Sequence, residues 1–252
     1  MKHLVHLSLL LCPALLLGQG PRLTIEDLLS SGSGRGTSAI LSPDGKQFVT
    51  IEHGQIALRS SENAASHLIT SKTGYRQFYG LLKEIPLPVS RETGSLLYML
   101  ARSTRAQSIL EFGTSFGVST IYLAAALRDN GGGRIITTEF EPSKVARARE
   151  NLTEAGLVDL VEIREGDALE TLARDLPETF DLVLLDGAKS LYADILQCVE
   201  AHLRPGSLVL ADDARYCAEF VSHMRTDANR YVSVALAGDL EMSMRLFRMS
   251  TK

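Results

Sequence analysis

From about residue 65 onward, short apolar runs alternate with amphipathic stretches of helical length, and no other feature of the sequence constrains the fold as strongly. Neighbouring parallel strands need long crossover connections, and helices in those crossovers cover both faces of the sheet. The pattern therefore predicts an α/β protein with a doubly wound, mostly parallel, seven-stranded sheet. The last two β segments have no helix between them, which predicts a C-terminal antiparallel hairpin.

The individual elements follow from the apolar period and from the residues that begin or end helices. The predicted strands are Ser108–Phe112, Arg134–Thr138, Leu160–Arg164, Phe180–Leu185, Ser207–Ala211, Tyr231–Leu236 and Met242–Phe247. The predicted helices are Thr120–Arg128, Pro142–Ala155, Ala168–Leu176, Leu191–Leu203 and Ala218–Asp227. Ligands of such sheets bind at the carboxyl ends of the strands, so we expect the functional site there.

The N-terminal quarter has another composition and is predicted to lie outside this domain. Residues 1–20 place Lys2 before the apolar run Leu4–Leu17, the layout of a signal peptide or membrane anchor, with an amphipathic or buried helix as the alternative. Residues 21–63 are predicted to be a linker with a short hairpin, because Pro43-Asp44-Gly45 favours a turn and Leu41–Val49 resembles the opening of a β-propeller blade. Residues 64–252 are predicted to form the α/β domain.

Charge and cysteine content exclude two classes of function. The net charge is −4, so the sequence lacks the basic surplus that is typical of nucleic-acid binding. Cys12, Cys198 and Cys217 lie far apart and match no zinc-ligand spacing. We therefore expect a small-molecule partner and no nucleic acid.

The first predicted strand of the domain ends in a glycine-containing loop with the spacing Gly113-x-x-x-Gly117. This spacing differs from the dinucleotide-binding and phosphate-loop motifs. The loop contains no lysine or arginine, and Glu111 places a carboxylate beside it, so a positively charged cofactor is favoured over a phosphate. A simple turn between strand and helix is the alternative role of Gly113.

Acidic residues follow the next two predicted strands. Glu139 stands where a carboxylate can accept hydrogen bonds from both ribose hydroxyls. Asp167 stands where it can meet the amino group of an adenine, although it could instead cap the following helix. The three strand ends together predict an adenosine-binding site.

With these motifs, residues 65 to 248 resemble the catechol and caffeoyl-CoA O-methyltransferase family, whose members are class I, S-adenosylmethionine-dependent and cation-dependent enzymes of Rossmann-like fold. The resemblance implies S-adenosyl-L-methionine as the cofactor. It also implies a set of cofactor-binding residues: Val89, Glu111, Gly113, Thr114, Ser115, Ser119, Glu139, Asp167, Ala168 and Asp186.

Carboxylates also cluster after the fourth and fifth predicted strands, as Asp186, Asp212 and Asp213. Three neighbouring carboxylates repel one another unless a cation lies between them, and oxygen ligands suit Mg²⁺, Mn²⁺ or another divalent ion. The resemblance also implies that these three residues are metal ligands; the alternative is that Asp212 and Asp213 only cap a helix or loop. Lys189 is predicted to be the catalytic base that takes the proton of the acceptor hydroxyl, with an exposed, solvated lysine as the alternative.

These features predict methyl transfer from S-adenosylmethionine to a catechol-type or related phenolic hydroxyl. The loop carries Ala188 where mammalian catechol enzymes have a tryptophan, so the substrate pocket is expected to differ. Glu241 is expected either to approach a substrate hydroxyl or to be an exposed strand residue. The alternatives are a non-catalytic binding protein of this fold and an N- or C-methyltransferase. A nicotinamide oxidoreductase is disfavoured because its glycine motif is absent.

The cofactor is cytosolic, so we expect a cytoplasmic active site, with membrane association through the N-terminus. An exported protein is the alternative that the leader suggests. The sequence is compatible with a monomer and with a homodimer.

Overall fold

The computed structural model describes residues 40–41, 47–52, 55–60, 66–68, 83, 87–226, 230–237 and 239–247. The predicted leader at residues 1–20 therefore lies outside the described residues. None of the helices in the described part of the chain is long and apolar enough to cross a membrane.

The first four strands form a separate antiparallel sheet. They are β1 (Ile40–Leu41), β2 (Gln47–Glu52), β3 (Gln55–Ser60) and β4 (Ser66–Leu68), and they pair in that order. The predicted hairpin corresponds to the pairing of β1 with β2, in which Ile40 faces Val49. Two further strands extend it into a four-stranded meander.

The α/β domain contains the remaining elements. Its strands are β5 (Ser108–Phe112), β6 (Arg134–Glu139), β7 (Val161–Glu165), β8 (Phe180–Leu185), β9 (Leu203–Ala211), β10 (Tyr231–Leu236) and β11 (Leu240–Arg245). Its helices are α1 (Arg91–Ser103), α2 (Val118–Asp129), α3 (Pro142–Glu154), α4 (Ala168–Thr171), α5 (Tyr192–Val199) and α6 (Ala218–Thr226).

The seven strands form one sheet in the order β10-β11-β9-β8-β5-β6-β7. The strands from β9 to β7 are parallel, whereas β11 lies antiparallel to both β9 and β10. The predicted doubly wound sheet with a C-terminal antiparallel hairpin is therefore confirmed. The chain order reverses at β5 and β8, so their carboxyl ends flank the crevice in which such sheets bind ligands.

Helices cover both faces of the sheet, as the unbroken apolar strands require. On one face, α5 and α6 pack with Phe112, Leu185 and Val209 in one apolar cluster. On the other face, α1 and α2 pack with Ile109 and Leu184 in a second cluster. Central strand β5 is buried from both sides and holds its carboxyl end rigidly in place.

Two stretches of the predicted secondary structure are wrong for identifiable reasons. Helix α4 ends at Thr171, five residues before the predicted Leu176, because Arg164 on β7 donates to the carbonyl groups of Thr171, Arg174 and Asp175 and so takes up oxygens that a longer helix would use. Arg164 thereby fixes the segment after α4, the short helix that follows Asp167, the residue predicted to contact an adenine.

The second error concerns the passage from α5 to β9. The predicted helix up to Leu203 ends at Val199, and β9 starts at Leu203 instead of Ser207. Pro205 and Gly206 lie inside the strand, where the β8–β9 pairing shifts register between Phe180 and Leu182. A β-bulge accepts proline and glycine within a strand. Contrary to the prediction from the sequence, Pro205 and Gly206 therefore do not separate the helix from the strand.

Candidate active site

The loop after β5 packs directly on the loop after β8. Gly113 has φ +105°, and a Cβ atom placed on it would lie 2.5 Å from the carbonyl oxygen of Asp186. The amide of Asp186 donates to the carbonyl of Phe112 at 2.8 Å, and the amide of Gly113 donates to the carbonyl of Thr138 at 3.2 Å. The backbone conformation and the close approach both require glycine, and they lock the ends of β5, β6 and β8 together.

Glu111 lies beneath the glycine loop and is fully buried. Its carboxylate accepts hydrogen bonds from the hydroxyls of Ser119, Thr120 and Thr137 at 2.5 to 2.6 Å. Burial raises the pKa of Glu111, and these three hydrogen bonds oppose the rise. The carboxylate thus ties the start of α2 to β6 and supports the loop from below. Its predicted contact with the cofactor stays a prediction.

Glu139 lies at the end of β6 and is held by the backbone. One oxygen accepts from the amide of Ser115 at 2.9 Å, and the other accepts from the amide of Glu141 at 3.0 Å. Burial raises the pKa of Glu139, whereas these amides and the nearby Lys144 lower it. Because amides donate and do not accept, the carboxylate is fixed in one orientation and is ready to accept further hydrogen bonds from hydroxyl groups.

Ser115 itself has a left-handed backbone conformation with φ +47°, and its buried hydroxyl oxygen has no hydrogen-bond partner among the described residues. A left-handed conformation is uncommon for a residue with a side chain, and strained residues of this kind concentrate at ligand sites. The turn directs the Ser115 amide at Glu139, so the glycine loop and the predicted ribose-binding carboxylate form one unit.

The other predicted cofactor residues line the same edge or lie just below it. Thr114 is buried and shares a hydrogen bond of 2.6 Å with Thr137, and Val89 is buried just before α1. Asp167 caps α4, since its carboxylate accepts from the amide of Leu169 at 2.9 Å, and Ala168 is buried behind it. The capping role of Asp167 is therefore confirmed, while its contact with an adenine stays a prediction.

The ends of β8 and β9 bring the predicted metal ligands and the predicted base together. The ammonium of Lys189 lies 3.4 Å from Asp186 Oδ1 and 3.2 Å from Asp213 Oδ2. Only 9% of the Lys189 side chain is exposed, which rules out the alternative of a solvated surface lysine. The amide of Asp212 donates to the carbonyl of Leu185 at 2.9 Å, which places Asp212 beside the end of β8.

Electrostatics on this side are dominated by crowded carboxylates. Burial raises the pKa of Asp186 well above its usual range, Lys189 opposes the rise, and the charges of Asp212 and Asp213 add to it. Burial also raises the pKa of Asp212, against the influence of Lys189. Among the described residues, three carboxylates therefore share the ammonium of Lys189, which balances only part of their charge.

The fit of a metal ion depends on the donor chemistry and on the arrangement of the donors. The three donors are carboxylates, which are the ligands that a hard divalent cation prefers. In the part of the chain that the structure describes, however, no group of three or more His, Cys, Asp or Glu side chains is arranged to hold a metal ion. The residue types fit such an ion, and the predicted Mg²⁺ site stays a prediction.

Tyr192 is a residue of this site to which the sequence analysis assigned no role. It is fully buried at the start of α5; its hydroxyl accepts from Lys189 Nζ at 2.9 Å and donates to the backbone carbonyl of Asp212 at 3.0 Å. The signal for it in the sequence is the spacing of three residues from Lys189, which places both side chains on one side of a helical turn.

Glu241 has neither the exposed position nor the open carboxylate that the sequence suggested. It is 2% exposed on β11, directly opposite Ala211, and its two oxygens accept from the guanidinium of Arg225 at 2.7 and 2.6 Å. Both oxygens of this carboxylate therefore accept hydrogen bonds from Arg225 on α6. This arginine lies sixteen positions away in the sequence, and no local pattern in the sequence predicts the pair.

The fold is that of a methyltransferase. A family model described as a methyltransferase domain matches residues 110–214, which run from the middle of β5 to just after β9. An O-methyltransferase from Bacillus cereus in complex with SAH has a TM-score of 0.59 and 25% identity, over 67% of this chain and 88% of that one. The O-methyltransferase TomG from Streptomyces achromogenes, involved in tomaymycin synthesis and solved in complex with SAM, has a TM-score of 0.57 and 29% identity, over 69% and 86% of the two chains.

Curated sequences place the chain more closely. It is 37% identical over 161 residues to a catechol O-methyltransferase from Niastella koreensis, covering 60% of this chain and 72% of the relative. It is also 37% identical over 131 residues to a catechol O-methyltransferase from Mycobacterium tuberculosis, of which it covers 59%. The chain therefore belongs to the S-adenosylmethionine-dependent O-methyltransferases, in the family that includes the catechol O-methyltransferases.

Proposed function

We propose that this O-methyltransferase transfers the methyl group of S-adenosylmethionine to one of two adjacent hydroxyls on a catechol-type or related phenolic molecule. The observation that carries the proposal is the convergence of Lys189 with Asp186 and Asp213 at 3.2 to 3.4 Å, on the strand ends beside the glycine loop. A buried lysine among oxygen donors is suited to hold a hydroxyl group and to accept its proton. The catechol O-methyltransferases among the relatives support the same substrate class.

Cofactor binding is assigned to the loops after β5, β6 and β7. Glu139 would accept the ribose hydroxyls with a carboxylate that two backbone amides already hold in place. The loop from Gly113 to Ser119 carries no positive charge, which suits a sulfonium centre. Binding by preformed, rigid groups positions the methyl group, and much of the rate of an in-line transfer comes from such orientation.

We also propose that Asp186, Asp212 and Asp213 bind a divalent cation, with Mg²⁺ as the first candidate. Such an ion would supply a Lewis acid that holds two neighbouring substrate oxygens and lowers the pKa of a hydroxyl group. The support from this chain is the excess of three carboxylates over the ammonium of Lys189. Burial raises the pKa of Asp186 and of Asp212, and the charges of neighbouring carboxylates add to the rise. The positive charge of the ion would also favour the neutral amine of Lys189, and this amine, which has a lone pair, would accept the hydroxyl proton.

The proposal is tested with the full chain, S-adenosylmethionine labelled in its methyl group, and paired acceptors that differ by one hydroxyl, such as catechol and phenol. Each pair is measured with Mg²⁺ and with EDTA. Labelled catechol that appears with Mg²⁺ and disappears with EDTA is the expected result. Methyl transfer to phenol and catechol alike, unaffected by EDTA, would contradict both the dependence on a metal ion and the requirement for two adjacent hydroxyls. Cofactor binding measured by calorimetry, without transfer to either acceptor, would contradict the substrate class and leave the family assignment intact.

A further inference from the structure

We propose that Tyr192 is a positioning residue that fixes the amino group of Lys189 for proton transfer and couples it to the loop after β9. The inference rests on the proposed function, in which Lys189 is the base. Its own observation is separate: one buried hydroxyl lies within hydrogen-bond distance of both the lysine nitrogen, at 2.9 Å, and the backbone carbonyl of Asp212, at 3.0 Å.

The direction of these two hydrogen bonds determines what Tyr192 can do. A carbonyl oxygen can only accept, so the single proton of the Tyr192 hydroxyl is committed to Asp212. Toward Lys189 the hydroxyl oxygen can then only accept an N–H. Both the charged and the neutral amine have an N–H to give, so Tyr192 holds the nitrogen in either protonation state. It never competes for the lone pair that must receive the substrate proton.

The packing of the Tyr192 ring holds this hydroxyl in place. It is 0% exposed, and it makes edge-to-face contacts with Phe112, at a ring-centre distance of 6.3 Å, and with Phe220, at 5.7 Å. Phe112 ends β5 and Phe220 lies on α6, so the ring is wedged between the sheet and a helix. Aromatic packing of this kind fixes a side chain rigidly.

The consequence is that the lysine nitrogen is held from three directions. Asp186 and Asp213 attract it through charge, at 3.4 and 3.2 Å, and both distances are longer than that to Tyr192. A flexible lysine chain attracted only by charge could settle at many positions between two carboxylates. The hydroxyl selects one of them, and it ties that position to the β9 loop that carries Asp212 and Asp213.

The experiment compares the variants Tyr192→Phe, Lys189→Met and the double variant in the full chain. Tyr192→Phe keeps the ring contacts and removes only the hydroxyl. We expect kcat with the acceptor to fall about 10- to 100-fold, because a misplaced base loses much of its contribution to the rate. The affinity for S-adenosylmethionine, measured by calorimetry, and the KM for S-adenosylmethionine should change less than about threefold.

The matched control is Tyr231→Phe. Tyr231 lies on β10, the strand at the far edge of the sheet, and is also buried, at 2% exposure. Its hydroxyl donates a hydrogen bond to Glu200 at 3.0 Å. This variant also removes a buried tyrosine hydroxyl, and its effect on thermal stability should be similar to that of Tyr192→Phe. Its kcat should stay within about twofold of the wild type, since no reacting group lies nearby.

The double variant separates positioning from general support of the fold. If Tyr192 acts through Lys189, adding Tyr192→Phe to Lys189→Met should lower kcat no further, so the two effects are strongly non-additive. A further 10-fold loss on that background, or an equal loss of kcat in Tyr231→Phe, would overturn the positioning role. If Lys189→Met lowers kcat and Tyr192→Phe does not, the positioning role of Tyr192 is refuted, while Lys189 stays the proposed base. If Lys189→Met retains full activity, the proposed base itself is refuted.

Discussion

The two sides of the site are stabilised in different ways. On the β5–β7 side, Glu111 and Glu139 are buried carboxylates whose oxygens accept hydrogen bonds from hydroxyls and backbone amides of the protein. On the β8–β9 side, Asp186, Asp212 and Asp213 crowd around Lys189. The two carboxylates of the first side already accept hydrogen bonds from the protein, whereas the three carboxylates of the second side outnumber the ammonium that they surround. This difference suits the first side to orienting a ligand, and it suits the second to the cation binding and proton transfer proposed above.

The largest effect is expected from Lys189→Met, which removes the ammonium that Asp186 and Asp213 share. We expect kcat to fall by a factor of about 100 to 10,000, the usual contribution of a general base, with little change in cofactor affinity. Steady-state kinetics and calorimetry measure the two quantities.

Lys144→Met is the matched control on the other side of the site. Lys144 is also buried, and its nearest charges are Glu139 and Glu141 on the β5–β7 side. This variant should retain kcat and lower the cofactor affinity a few-fold. A loss of kcat in Lys144→Met as large as that in Lys189→Met would contradict the division between the two sides.

The converse change is Glu139→Gln, which removes a charged acceptor from the β5–β7 side. A hydrogen bond to a charged group contributes about 1.5 to 3 kcal/mol, so cofactor affinity should fall roughly 10- to 150-fold. Calorimetry with S-adenosylmethionine measures the loss. The control is Glu141→Gln, because that carboxylate accepts from the neighbouring hydroxyl of Ser143 at 3.0 Å and lies outside the predicted ribose contact. Equal affinities in the two variants would remove Glu139 from the ribose-binding role.

A smaller effect is expected from pH. Burial raises the pKa of Glu139, so on acidification this carboxylate takes up its proton before an ordinary glutamate, whose pKa is about 4.3, would do so. Protonation removes an acceptor for the ribose, and the affinity for S-adenosylmethionine should therefore fall as the pH falls, starting above that ordinary value. Calorimetry from about pH 8 to about pH 5 checks the trend. In Glu139→Gln this fall should disappear; a fall that persists there would assign the titration to another group.

The smallest effect should come from Asp213→Asn. Asp213 has a left-handed backbone with φ +53°, which asparagine also adopts readily, and the amide keeps one oxygen. We expect kcat to stay within about threefold and the Mg²⁺ concentration for half-maximal rate to rise less than about tenfold. Asp213→Ala should lose both the oxygen and the backbone preference, and should do worse in both measurements. Equal behaviour of the two variants would show that Asp213 acts only through its charge.

Much of the fold could be predicted because the strands are short, apolar and separated by clear helix signals. Strands β5, β8 and β10 have the bounds that the sequence predicts. The errors at α4 and β9 arose where a distant group decided the outcome. Arg164 takes the carbonyls after α4, and a bulge opposite Phe180 absorbs Pro205 and Gly206.

The candidate site shows the same division. Residues at or just after the ends of strands, such as Glu139, Asp186 and Lys189, could be located because the carboxyl ends of parallel strands lie at one edge of the sheet. Tyr192 and the hydroxyls around Glu111 could not be assigned, because their roles depend on which helix packs over which strand. The ion pair of Glu241 with Arg225 likewise arises only from the packing of α6 on the hairpin.

The contact between Gly113 and the Asp186 carbonyl also limits how relatives of this protein can diversify. A methyl group at position 113 would lie 2.5 Å from that oxygen, so even the smallest substitution would push the β5 and β8 loops apart. The loop after β5, which carries Gly113, and the loop after β8, which carries Asp186, are therefore expected to change together or not at all among relatives. New acceptor specificities are expected to accumulate in the segments after β9 and in the β10–β11 hairpin, which can vary without disturbing that seam.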